Sequence, residues 1–73
     1  MTKEEFLKKL EGLDMSNPDT AYDNIHYLVD DMPRGYARGF LDANLGVCNC
    51  TGVSFDEDLK YSIKQWCNWF QWE

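Results

Sequence analysis

Pro18 and Pro33 bracket a segment in which Ala21, Ile25, Leu28, Val29 and Met32 recur at intervals of three and four. That spacing places all five on one stripe of a helix turning 100° per residue and fits no strand, whose side chains alternate between faces. The start of the segment is equally specific. Asn17 suits the N-cap, Pro18 the first helical position, and Asp19 sets negative charge at the positive end of the helix dipole. Pro33 disfavours helical geometry at Met32 and is itself suited to open another helix, so a helix over 18–31 followed by a sharp turn is expected.

The flanking segments repeat this pattern. Thr2 and Glu5 form a capping-box pair ahead of Phe6, Leu10 and Leu13, with Leu7 at the margin, which predicts a helix over 3–12 closed by Gly12. After Pro33, Tyr36, Ala37, Phe40 and Ala43 are expected to form an apolar side, with Leu41 and Leu45 near its margin and Gly46 as terminator. Gly35 and Gly39 in that helix would permit close backbone approach by a neighbour. Residues 46–53, GVCNCTGV, have two glycines and no helical period, and predict a Cys-containing loop or short hairpin. Ser54 and Glu57 repeat the capping-box spacing, and Phe55, Leu59, Ile63, Trp66 and Phe70 continue as the longest helix, reaching the chain end. The expectation is an all-α single domain over 1–73, a compact bundle of three to four short helices.

Charge is segregated along this chain. Glu11, Asp14, Asp19, Asp23, Asp30 and Asp31 lie within twenty-one residues that contain no Lys or Arg, while the remaining residues balance seven acids against seven bases. In the 18–31 helix, Asp19, Asp23, His26 and Asp30 fall opposite the apolar stripe, flanked by Tyr27 and Asp31. A charge run usually marks a solvated face. A complete absence of bases over such a stretch instead projects a one-sign field that attracts cationic partners. The net charge of −6 opposes direct binding to nucleic acid, whose affinity comes mainly from Lys and Arg.

Trp66, Trp69, Phe70 and Trp72 span too much of a helix circumference to face one core. Trp66 and Phe70 are expected inside, with Trp69 and Trp72 forming a partly exposed aromatic patch of the kind that anchors interfaces. Cys48, Cys50, Cys67 and His26 match a Cys₃His zinc set in number but not in spacing, since such sites pair cysteines in knuckles two to four residues apart. An odd cysteine count also suits thiols in a reducing compartment. Neither a cofactor nor a metal is expected, and nothing orients a nucleophile and base for catalysis.

Residues 35–47, GYARGFLDANLGV, resemble the LAGLIDADG motif of homing endonucleases. Gly39, Phe40, Leu41, Asp42 and Ala43 match its core, and Asp42 or a neighbour its metal-binding acid. That family sets such helices among four strands and a basic DNA-facing saddle. An acidic, short, helical chain departs from both, so the nuclease activity is not carried over.

These observations lead to a non-enzymatic interaction protein in which Asp19, Asp23, His26, Tyr27, Asp30, Asp31, Trp69 and Trp72 contact a partner bearing a basic surface. By analogy of size and charge, phage-type anti-CRISPR or anti-restriction inhibitors that mimic DNA work in this way. The alternatives are hydrophobic docking or homodimerisation through Trp69, Trp72 and the small-residue face at Gly35 and Gly39, and a Cys/His metal-stabilised domain. With no apolar run of membrane-spanning length and a charged N-terminus, the expected location is the cytoplasm, that of the host if the chain is viral.

Overall fold

In the computed structural model, which describes residues 1–72, the chain is all-helical: α1 (Lys3–Glu11), α2 (Pro18–Asp30), α3 (Tyr36–Cys50) and α4 (Glu57–Trp66), with no strand among the described residues. Its Cα radius of gyration is 11.3 Å, matching the roughly 11 Å of a well-packed chain this long.

Local chemistry starts the first two helices as the sequence indicates. The Thr2 hydroxyl accepts from the Glu5 backbone N–H at 3.2 Å and donates to the Glu5 carboxylate at 3.3 Å. Asn17 Oδ1 accepts from the Asp19 and Thr20 N–H groups. The stripe of Ala21, Ile25, Leu28, Val29 and Met32 is buried as a whole, and with Phe6, Leu10, Leu41, Leu45, Leu59, Ile63 and Phe70 it makes one continuous core. α2 packs on α1 at one flank and on α3 at the other. The short 31–35 turn brings α2 and α3 into contact. Arg38 closes that turn, its guanidinium donating to the Met32 carbonyl at 3.0 Å and to the Asp30 carbonyl at 3.3 Å.

Three expectations fail in the second half of the chain. First, Gly46 does not end α3. The helix runs on through Cys48 and Cys50, leaving no loop or hairpin before Thr51. A glycine inside a helix costs only about 1 kcal/mol, less than the burial of Leu45 just before it and the partial burial of Cys48 two residues after it return. The terminator is Gly52, whose φ of 76° is left-handed. Here the Val53 N–H reaches the Cys48 carbonyl at 2.9 Å and the Gly52 N–H the Asn49 carbonyl at 3.4 Å, the paired bonds of a Schellman cap. Gly52→Ala should therefore cost about 1 kcal/mol, whereas Gly46→Ala should stabilise by about as much. A Cβ built at Gly46 meets nothing within 4 Å. Urea denaturation of the two variants at low protein concentration checks the opposite signs.

Second, α3 is turned relative to expectation. Ala37, Leu41 and Leu45 face the core, Phe40 is half-buried, and Tyr36 and Ala43 are exposed. Both arcs of this helix are apolar, so hydropathy alone does not choose between them.

Third, α4 starts at Asp56 rather than Ser54, because the Asp56 carboxylate accepts from the Asp58 and Leu59 N–H groups. It ends at Trp66, which makes it shorter than α3. Past it the chain folds back, stacking Phe70 on Phe40 with ring centroids 4.6 Å apart and placing Trp72 against both Phe6 and Phe70. Trp66 is half-buried rather than inside.

Candidate interaction surface

The acidic residues of α2 divide into two groups. Asp19 and Asp23 are exposed and have no ion-pair partner among the described residues. Asp30 is held by Arg38 at 3.3 Å, and the same guanidinium lies 3.6 Å from Asp42. Asp31 stands 3.9 Å from Lys9 in a loose, solvent-exposed pair of a kind worth about 0–1 kcal/mol. The unbroken anionic ridge expected from Asp19 to Asp31 is thus compensated at its C-terminal end by bases from α3 and α1, elements that a helical projection of α2 alone cannot place.

His26 does not stand on that ridge. It turns toward the loop before α4, its ring centroid 4.4 Å from Tyr22 and 6.0 Å from Phe55, with Nε2 buried and lacking a hydrogen-bond partner. Tyr27 does face outward, at 70% exposure, beside a shallow groove between α1 and α2 that Lys8, Lys9, Leu13 and Asp31 also line. The two tryptophans separate as well. Trp69 is 78% exposed. Trp72 is half-buried, and its indole N–H donates to the Cys67 carbonyl at 3.0 Å.

A second acidic segment joins the first in the folded chain. Phe55 packs its ring 4.9 Å from Tyr22 and 6.0 Å from His26 on the flank of α2, which brings the start of α4, with Asp56, Glu57 and Asp58 following directly in sequence, toward the side of α2 that carries Asp19 and Asp23. Asp14 belongs to the same side. Its carboxylate accepts from the Ser16 hydroxyl at 2.7 Å and the Ser16 N–H at 2.9 Å, bonds that hold its pKa below the ordinary value. The nearby Glu11 is likewise held down, by its hydrogen bond and charge pairing with Lys64. Asp56, Glu57 and Asp58 are outside the acidic run and were not among the candidate residues. The available signal was their own DED sequence after Phe55, but its position beside α2 is a tertiary fact.

Lys60 is the base nearest this side, and it is spent internally. It is only 5% exposed, and its ammonium donates to the Glu11 carbonyl at 3.0 Å and the Leu13 carbonyl at 2.9 Å, with Glu57 at 3.8 Å. These carbonyls lie at the C-terminal end of α1, where a helix leaves acceptors unsatisfied and a cation is favoured.

The cysteines are dispersed. Cys50 is exposed, Cys48 half-buried, and Cys67 buried in the core, where desolvation pushes its thiol up to about 11. Among the described residues no three His, Cys, Asp or Glu side chains converge as a metal-binding group, so His26 and the cysteines do not meet as a ligand set. The LAGLIDADG-like stretch forms the start and body of α3 from its N-cap Gly35, and among the described residues there is no strand of the kind that accompanies it in that family. No helix among the described residues is long and apolar enough to cross a membrane. No family model, curated protein or solved structure matches this chain.

Proposed function

We propose that this chain is a non-catalytic interaction protein whose acidic side engages a basic, nucleic-acid-binding surface of a partner protein. That side consists of Asp14, Asp19 and Asp23 with Asp56, Glu57 and Asp58. The observation that carries this reading is the burial of Lys60. Lys60 directs its ammonium to the Glu11 and Leu13 carbonyls at the end of α1, with Glu57 at a looser 3.8 Å, and the acids on both segments remain exposed or at the surface. Carboxylates a helical turn apart, about 5.4 Å along the axis, present rigid and repeated negative charge. The partner's lysines and arginines would meet it as they meet phosphates, which makes a DNA-mimicking inhibitor the most concrete form of the proposal.

Binding of this type depends on salt, because exposed charges are screened beyond about 10 Å at 0.1 M ionic strength. Captured partners should elute from the immobilised protein as salt is raised. They should bind at least about tenfold more weakly to a variant carrying Asp19→Asn, Asp23→Asn, Glu57→Gln and Asp58→Asn. Asp56 is left intact there because it caps α4. Unchanged capture by that variant, with its helical circular dichroism preserved, rejects the proposal. Hydrophobic docking is the second reading, favoured by the exposure of Trp69, and it predicts salt-tolerant binding lost in Trp69→Ala.

A further inference from the structure

The chain has seven bases, and most of them are held within the fold. Lys60 donates to the carbonyls at the end of α1, Lys64 to the Glu11 carboxylate, Arg38 to Asp30 and the 31–35 turn, and Lys3 to Asn68 at 2.9 Å. Lys8 is exposed and has neither a hydrogen bond nor an ion pair among the described residues, and Lys9 has only its 3.9 Å contact with Asp31. Bases in the last turn of a helix ordinarily serve its carbonyl end. In α1 that task falls to Lys60 from another helix, which leaves Lys8 and Lys9 without it.

Both lysines border the groove between α1 and α2, a cleft of about 390 Å³, in the lower part of the roughly 300–1,000 Å³ range of ligand sites. Its apolar lining comes from the buried Leu28 and the half-buried Leu13. Tyr27 stands beside them, exposed, and its side chain has no ring or hydrogen-bond partner among the described residues. Aromatic groups with an apolar body and a polar tip are favoured interface anchors. Asn24, also in the lining, donates its amide N–H to the Asp14 carbonyl at 3.3 Å, which orients the side chain and leaves Oδ1 open to a donor. Two ammonium groups against the one carboxylate of Asp31 make this cleft positive in a chain of net charge −6. Its sign is the reverse of that of the acidic side.

We propose that the groove between α1 and α2 docks a short acidic peptide segment of a partner protein, whose bulky apolar side chain enters beside Leu13, Leu28 and Tyr27 while a flanking carboxylate pairs with Lys8. Burial of the apolar side chain supplies the affinity. Lys8 supplies the selection, because it attracts a carboxylate at that place and repels a lysine or arginine. Asn24 Oδ1 accepts a main-chain N–H of the same segment.

Nitrogen-15 NMR titration of the full chain with the peptide acetyl-Glu-Trp-Leu-Glu-amide should shift the amides of Leu13, Asn24, Tyr27 and Leu28, with a Kd on the order of 1 mM or below. Acetyl-Lys-Trp-Leu-Lys-amide keeps the apolar pair and reverses the charge, and it should act on those amides at least about tenfold more weakly. Lys8→Glu and Tyr27→Ala, at exposed positions, should each weaken the acidic peptide about tenfold with unchanged circular dichroism. If Lys8→Glu fails to fold, Lys8→Ala takes its place. No shift of these amides at about 5 mM peptide, equal affinity for the two peptides, or affinity unchanged in the variants overturns the proposal. So does either of two other occupants. Indolepropionate binding as tightly as the acidic peptide makes this a site for small carboxylates, and shifts of the same amides on raising the protein concentration alone make it a contact between copies. None of these variants alters the acidic side, so the two proposals fail independently.

Discussion

Phe6→Ala is expected to abolish the folded state, or to lower its thermal midpoint by about 15–30 °C. A chain of 73 residues has a total stability on the order of 4–11 kcal/mol. Truncating a fully buried phenylalanine removes about 3–5 kcal/mol through lost transfer energy and an unfilled cavity. For a domain this small each kcal/mol moves the midpoint by about 4–8 °C. Phe6 is 1% exposed and is the residue of α1 on which the C-terminal segment closes, with Trp72 at 5.4 Å. The variant therefore loses a core contact and the seat of Trp72 together. Calorimetry or thermal circular dichroism of Phe6→Ala beside Tyr61→Ala gives the comparison, because Tyr61 is 63% exposed and its truncation should stay within about 0.5 kcal/mol. A midpoint for Phe6→Ala within a few degrees of wild type shows that the C-terminal aromatics do not depend on α1.

What could be read in advance follows the range of the interactions involved. α2 was legible from Asn17 to Met32 because its cap, its proline and its buried stripe are all local, and the fold class followed from the same periodicity repeated along the chain. α3 was misplaced at its end and on its axis for one reason. Its sequence is apolar almost all round, and only packing against α2 decides that Leu41 and Leu45 go in, that Tyr36 and Ala43 stay out, and that Gly52 rather than Gly46 stops the helix. At α4, Ser54 and Asp56 both offer a cap. Phe55 settles the choice, since its ring lies between α4 and the Tyr22–His26 flank of α2 and the residue stays outside the helix.

The candidate surface was half legible by the same measure. Asp19 and Asp23 stand out on their own helix as expected, but the fates of Asp30 and Asp31 rest on Arg38 and Lys9, and that of His26 on Phe55, at separations of eight to twenty-nine residues. The arrival of Asp56, Glu57 and Asp58 is likewise non-local. The fold thus shifts the anionic surface toward the N-terminal ends of α2 and α4. Each of those ends contributes a positive dipole that steadies the carboxylates without cancelling them.

Lys60→Met tests whether fold and surface charge are linked as this arrangement implies. Methionine keeps most of the stem's volume but takes away the ammonium, leaving the Glu11 and Leu13 carbonyls without their donor. Hydrogen bonds from a charged group contribute about 1.5–3 kcal/mol each. Because the end of α1 is near solvent, water recovers part of that, and a net loss of about 2–3 kcal/mol is expected, read as a lower urea midpoint with the slope unchanged. The same substitution removes one positive charge from beneath Asp14 and Glu57, so the surviving folded protein should present a more negative surface and bind a basic partner at least as tightly as wild type at low salt. A stability loss with undiminished binding is the combination that separates a lysine anchoring the end of α1 from one that contacts the partner. Had Lys60 served as a partner contact, the variant would instead keep its urea midpoint and lose affinity.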